Sequence, residues 1–127
     1  MKQILLIDKD AAFTNTVSAI LSNEDFQVSV AKDGKEAAGA LADHSYDLVI
    51  TNVLMPFSNG FELVSGIRLK ETSRHTPVMM ISDITNEHNI EHCIRAGADA
   101  FIKKPLDIPQ FLSGIKNLVR SENNVAA

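Results

Sequence analysis

The sequence is poor in the features that announce many functional classes. Cys93 is the one cysteine in 127 residues, so no intrachain disulfide can form, which suits a reducing compartment. No run of Lys or Arg interrupts a net charge of −4, and a direct nucleic-acid footprint is not expected. No apolar stretch approaches the roughly 20 residues that span a bilayer. The opening "MKQILLIDKD" meets an acid after only four apolar residues, too few for a signal-peptide core. The segment "DKDAAFTN" has no glycine and begins with acid, whereas a loop that cradles phosphate needs free N–H groups and close backbone approach. Neither a Ser-His-Asp nor a Cys-His arrangement is suggested by order or placement, so an independent enzyme is not expected. The chain does have 45% hydrophobic and 22% charged residues, inside the ordinary globular range. Its length suits one compact domain around a single core. A soluble, cytoplasmic domain is the expectation.

Short β-prone runs alternate with segments of helical spacing. The runs are "QILLI" (3–7), "FQVSVA" (26–31), "DLVIT" (47–51), "PVMMIS" (77–82) and "DAFIK" (99–103). Between the first two, Phe13, Val17, Ile20 and Leu21 share a face. After the last, Ile108, Phe111, Leu112, Ile115, Leu118 and Val119 make the clearest stripe in the chain. Asp33 followed by Glu36 reads as a capping box, and Gly97 as a helix stop. Asp107 reads as a cap with Pro109 in the first turn. The closing "RSENNVAA" reads as a frayed end or the start of a linker, which puts the domain at 1–121 and a tail at 122–127.

Alternating strand and helix predicts an α/β fold with a parallel sheet covered on both faces, a doubly wound (βα)5 unit. "ILLI", "LVI" and "VMMI" are continuous apolar runs, as strands buried on both faces require. Strands two and five read as edges. Right-handed crossovers then favour the order 2-1-3-4-5, the flavodoxin-like winding. Its site lies at the carboxyl ends of the strands, beside the switch point between strands one and three. That rim receives Asp8, Lys9 and Asp10, then Asn52, then Ser82 and Asp83, then Lys103 and Lys104.

Four pieces in this order, each at a strand end, resemble the CheY-like receiver domains of two-component response regulators. They are "ILLIDKD", "DLVITNVLMPFSNGFEL", "PVMMISD" and "GADAFIKKPLD". The resemblance implies an Asp at the end of strand three that takes a phosphoryl group, and two adjacent acids after strand one that hold Mg²⁺ with it. It also implies a Ser or Thr after strand four and a Lys before a cis-Pro after strand five. Asp8 matches the first acid, Ser82 the hydroxyl, Lys104 the lysine and Pro105 the proline. Phe101 stands where many receivers carry an aromatic that reports phosphorylation. Two positions depart from the pattern: Asn52 occupies the phosphoacceptor position and Lys9 the second acidic position. Asp10 matches the residue after the usual pair and is expected to point elsewhere.

These departures matter chemically. A hard cation wants carboxylate oxygens, yet Asp8 is the one retained ligand and faces Lys9 and Lys104. The expectation is therefore no cofactor, Mg²⁺ included, with the Lys9 ammonium near Asp8 and the Asn52 amide as an internal cation. An amide is also a poor nucleophile.

The reading is a degenerate receiver, a phosphorylation-independent module for protein–protein interaction in a phosphorelay or related pathway. Its partners would be a histidine kinase, an output protein or domain, or a second copy. The resemblance puts docking on the face of the fourth helix, fifth strand and fifth helix, with Ile90, Ile94, Phe101 and Lys104 on or near it. Neither nucleic acid nor membrane is an expected direct partner. Two alternatives stay open: a phosphorylatable Mg²⁺-dependent receiver in which Asn52 replaces the native acceptor Asp, and a flavodoxin-like binder of a small anion. His88 and His92, four apart beside Glu91 and Cys93, raise a zinc site, but two ligands on one exposed helix rarely close a tetrahedron. Met79 and Met80 read as interior packing.

Overall fold

Each β-prone run and each amphipathic segment becomes the element its pattern predicts. In chain order these are β1 (Gln3–Ile7), α1 (Ala11–Asn23), β2 (Gln27–Ala31), α2 (Gly34–Asp43), β3 (Leu48–Asn52), α3 (Gly60–Leu69), β4 (Val78–Ser82), α4 (Glu87–Ala96), β5 (Ala100–Lys103) and α5 (Ile108–Ala126). The computed structural model describes residues 1–53, 60–83 and 87–126, with side chains for 1–53, 60–83 and 90–119. The Met55-Pro56 and Asn59 turn motifs and the His88 side chain lie outside the described residues.

The strands form one parallel sheet in the order β2-β1-β3-β4-β5. The register sets Leu6 between Val30 and Ile50, and Met79 between Ile50 and Ala100. β3 and β4 are buried along their whole length, and β1 from Ile4 onward, while β2 and β5 keep exposed positions. The edges therefore fall where the sequence pattern puts them.

Strand pleat sends alternate side chains to opposite faces, and this divides the core in two. Ile4, Leu6, Ile50, Met79 and Ile81 pack with Val17 and Leu21 of α1 and Phe111, Ile115 and Val119 of α5. Leu5, Ile7, Val49, Val78 and Met80 pack with Ala37, Val64, Ile67 and Cys93 on the other face. Each such aliphatic side chain contributes roughly 1.5–3 kcal/mol by leaving water. Met79 and Met80 are fully buried, as packing residues should be. Burial pushes the Cys93 thiol above its ordinary pKa, so Cys93 acts as a small apolar filler rather than a nucleophile.

The helix ends follow their caps. Asp33 Oδ1 accepts from the Glu36 N–H at 2.8 Å. Glu36 returns a bond to the Lys32 N–H, one residue earlier than a standard capping box. Asp107 accepts from the Gln110 N–H, and Gly97 closes α4 at φ +111°, where a side chain would be strained. The segment from 122, expected as a frayed end or the start of a linker, is helical in the structure, where α5 continues to Ala126. No Gly or Pro follows Gly114 to stop it.

Candidate functional site

Parallel strands that end together deliver their next residues to one rim, and four of them converge here. Asp8 follows β1, Asn52 ends β3, Ser82 ends β4, and Lys104 follows β5. Asp8 is 3% exposed, Asn52 8% and Ser82 1%, so the rim is a closed polar cluster rather than an open cleft. The Asp8 N–H extends the sheet by donating to Ala31 O, which keeps its carboxylate turned inward.

Both Asp8 oxygens are engaged. Oδ1 accepts from the Asp10 N–H at 3.0 Å. Oδ2 accepts from Lys104 Nζ at 2.9 Å and from Asn52 Nδ2 at 3.1 Å. A buried ion pair is tolerable when further donors satisfy the carboxylate, and the Asp10 and Asn52 N–H groups do so. The Lys104 ammonium also lies 4.1 Å from the centre of the Phe13 ring, a cation–π distance. The Lys104 N–H donates to Ser82 O at 2.9 Å, and the Lys104–Pro105 peptide bond is cis, as the sequence resemblance implies.

Asn52 is also held from behind. A Cβ on Gly60 would stand 2.7 Å from Asn52 O and from Met80 Cε. The Gly60 N–H donates to Val53 O at 2.7 Å. Glycine is therefore what lets α3 start directly against the end of β3.

Two placements differ from expectation. Lys9 is exposed, and the cation on Asp8 is Lys104 instead. The pleat explains it: with Asp8 turned inward, the next side chain points out. Lys104 likewise faces Asp8 and α1, away from the α4–β5–α5 surface where docking was expected. Lys103 takes its place there, lining a groove of about 540 Å³ with Ile90, Phe101 and Pro105. Phe101 is half-buried, and Ile94 is 62% exposed outside that groove. Asp10 behaves as expected: it points elsewhere and caps α1 through the Phe13 N–H at 3.1 Å.

Phe13 was read from the sequence only as part of the apolar face of α1. Its place over Lys104 had a weak signal, an aromatic three residues after a capping acid. His92 stacks on Phe61, ring centres 3.9 Å apart and planes 12° from parallel. Among the described residues no group of three His, Cys, Asp or Glu side chains is arranged to hold a metal.

Mg²⁺, which the receiver resemblance implies, can be tested against the donor set. Among the described residues Asp8 supplies the only carboxylate at the centre of the cluster, and its oxygens already take an ammonium, an amide and a backbone N–H. A cation that needs several oxygen ligands in near-octahedral geometry does not fit such a set.

The sequence pattern of the response regulator receiver domain matches residues 4–116. The regulatory protein VanRB of Enterococcus faecalis is 30% identical over 124 residues, covering 98% of this chain and 55% of that protein. The transcriptional regulatory protein CpxR of Klebsiella pneumoniae is 33% identical over 120 residues, covering 94% of this chain and 50% of its own length. The chain thus spans about half the length of these curated relatives. Among solved structures, the chemotaxis response regulator CheY4 of Vibrio cholerae superposes with a TM-score of 0.88 at 26% identity, covering 93% of this chain and 98% of that one. The receiver domain of a signal transduction histidine kinase from Syntrophus aciditrophicus gives 0.89 at 26% identity, covering 95% and 92%. A CheY-like sheet whose strand ends meet at one polar rim, and a family pattern that runs from the first strand into the last helix, lead to one assignment: the chain belongs to the response regulator receiver domain family.

Proposed function

We propose that this receiver signals through its conformation and its contacts without taking a phosphoryl group, as an interaction module rather than a catalyst. The observation that carries the reading is Asn52, whose amide donates to Asp8 at the place where the family has its acceptor carboxylate. Phosphoryl transfer needs a nucleophile and a cation that neutralises developing charge. Here the amide is a poor nucleophile, and the Asp8 carboxylate that a cation would need is already paired with the Lys104 ammonium.

The same pairing removes support from the small-anion reading, because Lys104 is already neutralised by Asp8. The partners proposed are a histidine kinase, an output protein or domain, or a second copy. The docking surface is α4–β5–α5, where Ile90 and Phe101 line a groove and Ile94 is exposed. Among the described residues no helix is long and apolar enough to cross a membrane, and the proposed setting is the cytoplasm.

The test is intact-protein mass after incubation with Mg²⁺ and a small acyl phosphate, for the chain as written and for Asn52→Asp. No phosphoryl adduct on the chain as written is expected. Uptake by Asn52→Asp alone would show that the acceptor was the only loss and that the alternative, a metal-dependent receiver, describes the rest of the site. An adduct on the chain as written would overturn the proposal.

A further inference from the structure

Gly66 has no packing task inside its own fold. A Cβ built on it would meet nothing within 4 Å, although glycine weakens a helix interior relative to alanine. Its neighbours on α3 are arranged symmetrically about it. In "ELVSGIRLK" (62–70), Glu62 and Lys70 stand four residues either side of Gly66, and Leu63 and Leu69 three residues either side. At the helical period all of these share one face, while Val64 and Ile67 turn to the core. Glu62 and Lys70 are exposed, and Leu63 is half-buried. Leu69, at 86%, is the most exposed large apolar side chain among the described residues. The face continues into an apolar groove of about 230 Å³ that reaches Ala38 and Leu41 of α2.

We propose that α3 is the contact through which a second copy of this chain docks, the two helices crossing antiparallel at Gly66. The occupant follows from the residue pattern, which is its own complement when reversed. In the commonest helix packing the i±4 rows of both helices lie side by side. That sets Glu62 against Lys70 of the other copy, Lys70 against its Glu62, and glycine against glycine. Without a Cβ at the crossing, the axes can approach to the short end of the usual range of about 8–10 Å. Leu63 and Leu69 then flank the crossing and cover the other helix on either side. The exposed charges add little energy and serve orientation, since a parallel crossing in register would set like charges together. Gly39 on α2 is equally open and lies midway between Lys35 and Asp43, but its neighbours at three residues are Glu36 and Ala42, which offer little apolar surface. Two helices meeting at one glycine bury less than the roughly 800 Å² per partner of a lasting complex, so the dimer is weak. The contact is independent of whether the receiver takes a phosphoryl group, and it leaves the α4–β5–α5 surface with Ile90 and Phe101 to other partners.

Sedimentation equilibrium of the whole chain at low salt should give a monomer–dimer equilibrium with a Kd on the order of 100 μM, weakening as salt rises. Leu69→Ser should weaken it about tenfold, because each copy loses an apolar side chain from the contact. Glu62→Lys and Lys70→Glu should each associate more weakly than the parent, since like charges then face each other. An equimolar mixture of those two variants should recover the parent's affinity, and so should the chain carrying both changes. Gly66→Gln should abolish the dimer without lowering the melting temperature, because the side chain enters open space. Gly39→Gln is the matched control and should leave the dimer intact. If Gly66→Gln fails to fold, the charge-swap mixture carries the test. A chain that stays monomeric at about 1 mM, a dimer that survives Gly66→Gln or is lost in Gly39→Gln, or a mixture that associates no better than either variant alone would overturn the proposal. None of these readouts involves phosphoryl uptake, so failure here is distinguishable from failure of the functional reading.

Discussion

Two carboxylate–cation pairs sit at opposite ends of the same sheet, and their surroundings give them different work. At the carboxyl ends of the strands, Asp8 and Lys104 pair at 2.9 Å with side chains 2% and 19% exposed. At the other end, Asp99 and Arg68 pair at 2.8 Å with side chains 43% and 24% exposed. Asp8 spends both oxygens on the cluster at the rim. Arg68 spends most of its guanidinium on backbone: its N–H groups reach Gly97 O, Thr76 O and Arg74 O as well as Asp99. Asp99 in turn accepts from the Val78 N–H, so the pair ties α3 to the entries of β4 and β5. One pair closes a polar cluster at the rim; the other is a staple. An ion pair whose donors are turned to side chains can be replaced, whereas one whose donors are turned to carbonyls leaves those carbonyls stranded.

Double-mutant cycles separate the two. Lys104→Met leaves a buried carboxylate with only neutral donors and should lower stability by about 3 kcal/mol, read from urea unfolding. Adding Asp8→Asn should recover most of that loss. A double variant as unstable as Lys104→Met would mean that Lys104 acts chiefly through Phe13 and not through Asp8.

Arg68→Ala should lower stability by about 2 kcal/mol, because Thr76 O and Gly97 O lose their charged donor. Here Asp99→Asn added on top should recover nothing. Arg68→Lys should also fall well short of the parent, since one ammonium cannot reach several carbonyls as a planar fork does. Recovery in the Arg68→Ala, Asp99→Asn pair would erase the distinction drawn between the two ends.

Gly60→Ala sharpens the contrast from behind Asn52. Its methyl would stand 2.7 Å from Asn52 O and Met80 Cε, so β3 or Met80 must move, at about 1–3 kcal/mol as for other overpacked sites. The side-chain amide resonance of Asn52 should shift while signals from Arg68 stay in place. A shift at both ends would show that the sheet transmits the strain along its length.

The sequence carried the sheet more clearly than the site. Strand order was legible because continuous apolar runs and alternating ones differ visibly, and each strand fell within a residue of its expected bounds. The Asp33, Asp107 and Gly97 ends were legible because caps use local bonds three or four residues apart. Lys9 was misplaced because matching a family position says nothing about which face of the strand end a residue occupies. The pleat, counted from Asp8, would have turned it outward. Arg68 gave no signal at all: it bonds to carbonyls as far as 29 residues away, and every residue has a carbonyl.

The smallest expected effect concerns the acid beside Asp8. Asp10 accepts from the Phe13 N–H as the cap of α1, and Asp10→Ala should lower stability by about 1 kcal/mol, the usual worth of such a cap. Were Asp10 instead a metal ligand, the parent chain would gain stability in proportion to the logarithm of added Mg²⁺ and the variant would not. With Asp8 satisfied by Lys104, Asn52 and the Asp10 backbone, the two unfolding curves should stay the same distance apart with and without millimolar Mg²⁺. Asp10→Asn should keep most of the lost stability, because an amide oxygen caps nearly as well as a carboxylate. A gap that widens with Mg²⁺ would return Asp10 to the metal site and weaken the case for a receiver that works without the cation.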